Sequence, residues 1–159
     1  MKAATAKEIK DELARYPAKD LLKICLRLSR FKKENKELLT YLLFEAGDEG
    51  SFIMSVKSEV DLGFEQINRK TSYLMKKSIR KILRNLQKFI RYSGKKETEV
   101  ELLIYFCEKL NQVHPSIHRN RVLRNMYDRL VGQIGNNIPK LHEDLQYDFQ
   151  LELEALKNR

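Results

Sequence analysis

The sequence predicts an all-α fold. In 159 residues there are only six glycines and three prolines, while Leu, Lys, Glu and Arg, which favour helices, are abundant. No segment alternates apolar and polar residues long enough to predict a strand. Apolar residues recur instead at helical spacing. They predict about eight helices, at approximately 5–15, 18–31, 34–46, 52–67, 71–92, 97–113, 117–134 and 139–157.

Capping and turn residues predict where these helices begin and end. Pro17 suits the first turn of the second helix, and "AGDEGS" at 46–51 predicts the turn before the fourth. Thr71 or Ser72 is the expected N-cap of the fifth helix. The later boundaries are predicted by "SGKK" at 93–96, "VHPS" at 113–116, Gly135-Asn136-Asn137, and Pro139 as the first residue of the eighth helix.

The distribution of apolar residues predicts how the helices pack. The third and sixth helices are apolar nearly all round ("ELLTYLLF" and "ELLIYFC"), which indicates elements packed on more than one side. The second and fifth have one apolar face and should be peripheral. Because the connections are short, consecutive helices should form antiparallel hairpins within a single domain, residues 1–159.

An internal similarity indicates a possible duplication of about 20–45 and 78–108. The segment "LLKICLRLSRF" (21–31) aligns without gaps with "IRKILRNLQKF" (79–89), matching Lys, Ile, Leu and Phe at four positions. Further along, both copies carry "KKE", then "ELL", then a tyrosine, with one inserted residue. A duplicated unit of outer helix, turn and buried helix explains the matches. Chance similarity between Lys- and Leu-rich helices is the alternative.

This pattern of outer and buried helices over roughly 18–110 resembles small HEAT-like α-solenoid proteins of uncharacterised bacterial families. The resemblance implies a right-handed α-α superhelix of stacked hairpins with a binding surface, and it fixes no ligand. An irregular helical bundle is the alternative architecture.

The charge is concentrated in one segment. The net charge is +9, yet residues 1–68 are balanced and 97–159 are slightly acidic, because residues 69–96 hold eleven basic side chains and no acidic one. On a helical projection the basic residues lie opposite an apolar stripe. The candidate partner-binding residues are Lys76, Lys77, Arg80, Lys81, Arg84, Lys88 and Arg91, with Lys19, Lys23 and Arg30 in the earlier copy.

Motifs for catalysis, cofactors and metals are missing from the sequence. His114 and His118 have an i,i+4 spacing, but Pro115 separates them and predicts a loop histidine followed by a first-turn histidine. Phosphate-binding loops and nucleophile elbows are not found. Cys25 and Cys107 lie in apolar helical patterns, so both are predicted to be buried, reduced thiols. We therefore expect neither an enzyme nor a bound cofactor.

These observations predict a helical-repeat interaction module. The leading interpretation is a protein–protein scaffold whose basic face meets an acidic protein surface or a second copy of the chain. The alternative is binding of nucleic acid or another polyanion through residues 70–96. A third possibility is neutralisation of the basic face within the molecule, by Glu97, Glu99, Glu101 or the acids of the last helix. No apolar run approaches about 20 residues and no signal peptide is evident, so a cytoplasmic protein is expected.

Overall fold

A computed structural model describes residues 1–158, which form eight α-helices and no strand. The prediction of an all-α fold is therefore confirmed. Short π- and 3-10 segments follow α3, precede α7 and follow α7. The helices are α1 (Ala6–Leu13), α2 (Ala18–Phe31), α3 (Lys33–Thr40), α4 (Glu49–Glu65), α5 (Ser72–Ser93), α6 (Lys96–Asn111), α7 (Arg121–Asn137) and α8 (Glu143–Lys157).

Contacts between residues divide the chain into two units. The N-terminal unit is Met1–Phe44, and the C-terminal unit begins at Glu45. The single-domain organisation, the internal duplication and the α-α superhelix stay predictions.

The N-terminal unit is built from a capped helix and a hairpin. Thr5 and Glu8 form a capping box at the start of α1, in which the Glu8 carboxylate accepts the Thr5 backbone N–H at 2.7 Å. Helix α2 packs against α3. Lys32 is extended between them, and Asn35 Nδ2 donates to the Leu28 carbonyl at 2.9 Å, which ties the start of α3 to α2.

This unit has almost no core. None of the side chains in α1, α2 or α3 is buried, and Tyr41, in the π-helical Tyr41–Glu45, is the one buried residue between 1 and 44. The prediction that the third helix is enclosed on several sides is therefore wrong. Two packed helices can cover each other along one line only, so the other apolar residues of each stay open.

The C-terminal unit has a continuous core around α6. Helix α6 contacts α4, α5, α7 and α8, and it buries nine of its residues, including Phe106 and Cys107. The prediction that the sixth helix is packed on more than one side is therefore confirmed. Its neighbours contribute fully buried side chains such as Ile79 of α5 and Leu130 and Ile134 of α7.

Helix α5 follows the prediction closely. Its N-cap is Thr71, whose hydroxyl accepts the Leu74 N–H at 3.1 Å. It ends at Gly94, which has φ 66° in the left-handed region that glycine adopts most easily. Five residues of the predicted apolar stripe are buried, Met75, Ile79, Ile82, Leu83 and Leu86, whereas its last two, Phe89 and Ile90, are half-buried.

Several helix boundaries differ from the prediction, and three of the differences fall at predicted turn or capping residues. Helix α4 begins at Glu49, inside the predicted turn, because Asp48 caps it by accepting the Ser51 N–H at 3.1 Å. Gly135 lies inside α7, which continues to Asn137. Pro139 lies in the 3-10 segment Ile138–Lys140, and α8 begins only at Glu143, where His142 is the N-cap.

Candidate functional site

The basic face of α5 is open to solvent. We define it as the seven residues predicted from the sequence, Lys76, Lys77, Arg80, Lys81, Arg84, Lys88 and Arg91. Five of them are exposed, while Lys76 and Lys88 are half-buried. Because the apolar stripe of α5 is buried against α4 and α6, the rotation of the helix is fixed and the basic residues must point outward.

The basic face is long and carries one aromatic side chain. From Lys76 to Arg91 the helix rises about 22 Å. Tyr73 precedes it by one turn and is 68% exposed. By helical angle, Tyr73 lies near the middle of the basic arc, so a planar group bound along the face could stack on its ring.

Ion pairs do not neutralise most of this face. Within the described part of the chain, no carboxylate lies within 4.0 Å of the side-chain nitrogens of Lys76, Lys77, Arg80, Lys81, Arg84 or Arg91. Lys88 behaves differently, since its ammonium lies 5.2 Å from the centroid of the Phe89 ring and 6.0 Å from that of Tyr92. These six residues therefore form a cluster of positive charge that no carboxylate of the described chain neutralises.

Two of the acidic residues that could have covered the face, Glu99 and Glu101, have other partners. Glu99 pairs with Lys96 at 2.7 Å, and Glu101 pairs with Lys57 at 2.7 Å. Helix α8, which holds five acids, packs against α6 and α7. Glu59 lines the same α4–α5 groove of about 340 Å³ as Lys81 without pairing with it. Among the described residues, therefore, no ion pair within the molecule neutralises the six residues of the face other than Lys88.

The second group of predicted basic residues lies in the other unit. Lys19, Lys23 and Arg30 are exposed on α2, and the ammonium of Lys23 lies 2.9 Å from the Asp20 carboxylate. Since α2 belongs to the N-terminal unit and α5 to the C-terminal unit, a band formed by both helices stays a prediction.

The two cysteines have opposite environments. Both thiols are free, and Cys107 is buried as predicted. Burial, followed by the charge of Glu108, raises the pKa of Cys107 to about 12, so this thiol stays protonated. Cys25, however, is exposed, and the prediction that it is buried is wrong. The apolar pattern around Cys25 is real, but no helix covers that side of α2 within the N-terminal unit.

The histidines form no metal site. His118 lies in the 3-10 segment Ile117–Arg119, where its ring is edge-on to Tyr127 at 5.6 Å and near the Asn111 side chain at 3.3 Å. His114 is exposed and near the Gln112 carbonyl. Throughout residues 1–158, no group of three His, Cys, Asp or Glu side chains is placed to hold a metal ion.

One polar cluster, between α4 and α6, is not predicted by the sequence. The Tyr105 hydroxyl donates to the Asp61 carboxylate at 2.7 Å, and Lys109 pairs with the same carboxylate at 2.7 Å. Burial acts to raise the pKa of Asp61, but the hydrogen bonds from Lys109 and Tyr105 and the charge of Lys109 outweigh it and lower the pKa. Tyr105 and Lys109 are one turn apart, but nothing in the sequence indicates that Asp61 joins them.

Comparison of the chain with protein-family models, curated proteins and solved structures finds no match. Among the described residues, no helix is long and apolar enough to cross a membrane. The geometry of the chain itself is therefore the basis for a functional proposal.

Proposed function

We propose that this protein is a helical interaction module that binds the phosphate backbone of a nucleic acid through the basic face of α5. The observation that carries the proposal is that six basic residues of this face have no carboxylate partner in the described structure, and five of the seven are exposed. Nucleic-acid binding is the alternative interpretation of the sequence. We prefer it to a protein–protein scaffold because an open basic face can bind a flexible or extended polyanion without rearrangement.

Phosphate binding needs only what this face offers. Clustered Lys and Arg side chains displace the cations that surround a nucleic acid, and this release of counterions drives binding at low salt. Three of the seven residues are arginines, whose planar guanidinium can hold two phosphate oxygens at once. With about five phosphates contacted, the logarithm of the binding constant for duplex DNA should fall with log salt at a slope of about −4.5.

A scaffold that docks an acidic protein surface on the same face is the second candidate. It is supported by the same open charge, but its salt dependence should be shallower, because few carboxylates of a folded partner can be contacted at once. The two candidates therefore differ in a measurable quantity.

The first prediction is that charge reversal on the basic face strongly weakens nucleic-acid binding. Fluorescence anisotropy would be measured with a 20-base-pair duplex and a 20-nucleotide single strand at 50 and 200 mM salt. The triple variant Lys77→Glu, Lys81→Glu, Arg84→Glu should bind at least about 100-fold more weakly than the natural chain. All three residues are exposed, so circular dichroism should show an unchanged fold.

The matched control has the same change in net charge elsewhere in the C-terminal unit. Arg119, Arg121 and Arg124 are exposed and lie outside α5. Their reversal to Glu should weaken binding less than about tenfold, through net charge alone. Equal losses in both variants would show that binding is not localised. The natural chain failing to bind either nucleic acid at 50 mM salt, while binding poly-glutamate, would favour the scaffold instead.

A further inference from the structure

The N-terminal unit exposes a large apolar surface to solvent. Ten of its large hydrophobic residues have exposures between 37% and 78%, and only Tyr41 is buried. Together they present on the order of 1,000 Å² to solvent, while one partner of a standard protein interface contributes about 800 Å². The unit therefore has enough open apolar surface for one partner's share of a stable interface.

The exposed side chains include the walls of a groove between α2 and α3. The groove has a volume of about 260 Å³, and we define it by its apolar lining residues, Cys25, Leu28, Leu38, Leu39 and Leu42. Its two polar residues are satisfied locally, because Ser29 donates to the Leu26 carbonyl at 2.8 Å and Asn35 donates to the Leu28 carbonyl at 2.9 Å. The groove thus offers no charged side chain to a charged ligand and suits apolar side chains.

The apolar stripe of α2 has a counterpart in the C-terminal unit, the stripe of α5, which other helices cover. Leu28 aligns with Leu86, and their exposures are 55% and 1%. In α5 this stripe packs against α4 and α6, whereas α2 has only α3 as its main neighbour. The residues that form a core in α5 are therefore left open in α2, so the helix pair lacks a covering layer.

We propose that a second copy of this chain supplies that layer, and that two α2–α3 hairpins pair across their apolar grooves to form a four-helix arrangement. A two-fold pairing needs no other surface, because each copy brings the same groove and the same exposed leucines. The nearly all-apolar lining is typical of homodimer interfaces, which are more apolar than those of transient complexes.

The charges of α2 are compatible with this pairing. By helical angle, Lys19, Lys23, Arg27 and Arg30 lie on the opposite side of α2 from Cys25. In the dimer they stay in water on the outer surface, and none of the residues that line the groove is charged. An acidic partner, by contrast, would find no cation inside the groove to pair with.

The test is the mass of the natural chain in solution against a groove variant and a matched control. Sedimentation between 1 and 100 µM should give about twice the chain mass of 18.9 kDa. The double variant Leu28→Glu, Leu42→Glu should sediment as a monomer. Leu151→Glu is the control, because Leu151 is 49% exposed on α8, outside the groove, and this variant should remain a dimer.

Thiol labelling provides a second, independent readout. Cys25 lines the groove, and Cys107 is buried in the other unit. In the natural dimer Cys25 should react with a soluble disulfide reagent at least tenfold more slowly than in the Leu28→Glu, Leu42→Glu variant. Cys107 should stay unreactive in both until the protein is unfolded.

Three results would overturn the proposal. If the natural chain is monomeric at 100 µM and Cys25 is reactive, the groove is open to solvent. If the chain is monomeric and Cys25 is unreactive, another part of the same chain covers the groove. A dimer that survives Leu28→Glu, Leu42→Glu uses another surface. The proposal is independent of nucleic-acid binding, because reversal of Lys77, Lys81 and Arg84 should leave the dimer intact.

Discussion

At the scale of single residues, Glu99 is the one charged residue that is buried in the described chain. Its carboxylate accepts hydrogen bonds from Lys96 at 2.7 Å, Gln133 at 2.8 Å and Asn137 at 3.0 Å. Burial acts to raise the pKa of Glu99, but these bonds and the Lys96 charge outweigh it, and the pKa lies below its ordinary value of 4.5. The ionised carboxylate therefore stabilises the contact between α6 and α7.

This pKa shift predicts a pH-dependent effect of Glu99→Gln. Because the folded pKa is depressed, the contribution of Glu99 is present above its unfolded pKa and is lost as the pH falls through the folded pKa. The variant should lower the free energy of unfolding by about 2 kcal/mol at pH 7, the cost of losing hydrogen bonds to a charged group. At about pH 3 the difference from the natural chain should shrink.

Urea denaturation at both pH values measures this effect, and Glu97→Gln is the control. Glu97 is exposed on the same helix, so its replacement should change little at either pH. An equal loss of stability by Glu99→Gln at pH 7 and pH 3 would show that the amide disturbs packing and that ionisation is not involved.

At the scale of helices, the contact between α4 and α5 depends on a glycine. A Cβ added at Gly63 would lie 2.9 Å from Cγ1 of Ile82, which is closer than carbon atoms approach. Ile82 is itself buried and cannot easily turn away. Gly63 thus lets α4 approach α5 closely, which explains why a residue unfavourable to helices occurs in the last turn of α4.

Replacing Gly63 and Gly132 by alanine should change the free energy of unfolding in opposite directions. Gly63→Ala gains about 1 kcal/mol of helix propensity but overpacks the contact at a cost of 1–3 kcal/mol, so a net loss of about 1 kcal/mol is expected. Gly132 also lies within a helix, α7, and a Cβ there meets nothing within 4 Å. Gly132→Ala should therefore raise the free energy of unfolding by up to about 1 kcal/mol. Equal stabilisation by both would show that Ile82 moves aside freely.

The observed boundaries of α2 agree with those predicted from the sequence, and those of α5 agree to within one residue at each end. Both helices are predictable because local sequence signals determine where they begin and end. Amphipathic spacing and Thr71 at the N-cap suffice for α5, and they also fix which residues form its basic face. Burial is different, since α3 and α6 share an apolar pattern and only α6 is enclosed. Enclosure depends on helices distant in sequence. For the same reason, the sequence could not show that α8 packs on α6 and α7 and leaves the basic face open.

At the scale of the whole molecule, the core belongs almost entirely to the C-terminal unit. Every buried residue of the described chain except Tyr41 lies beyond residue 44. The basic face of α5 lies there too, whereas the apolar groove lies in the N-terminal unit. The two proposed interactions are therefore on separate units.

A truncated chain of residues 45–159 should separate the two interactions. It should unfold cooperatively, with a free energy of unfolding within about 1 kcal/mol of a monomeric full-length variant, because it keeps nearly the whole core. It should bind nucleic acid and sediment as a monomer. Chemical denaturation and sedimentation test both expectations, and a truncated chain that does not fold would show that residues 1–44 contribute to the core.

The unbroken basic composition of α5 has a consequence for regulation. Residues 69–96 contain neither a histidine nor a carboxylate, the side chains that ordinarily change charge between about pH 3 and 8. No side chain of this helix therefore changes charge on mild acidification, so a fall in pH should not release a bound ligand. We expect affinity for a duplex at constant ionic strength to vary less than about twofold between pH 6 and 8, and a larger change would point to a titrating group elsewhere. Control would fall instead to ion concentration or to acetylation, which removes the charge of a lysine, and four of the seven residues of the face are lysines.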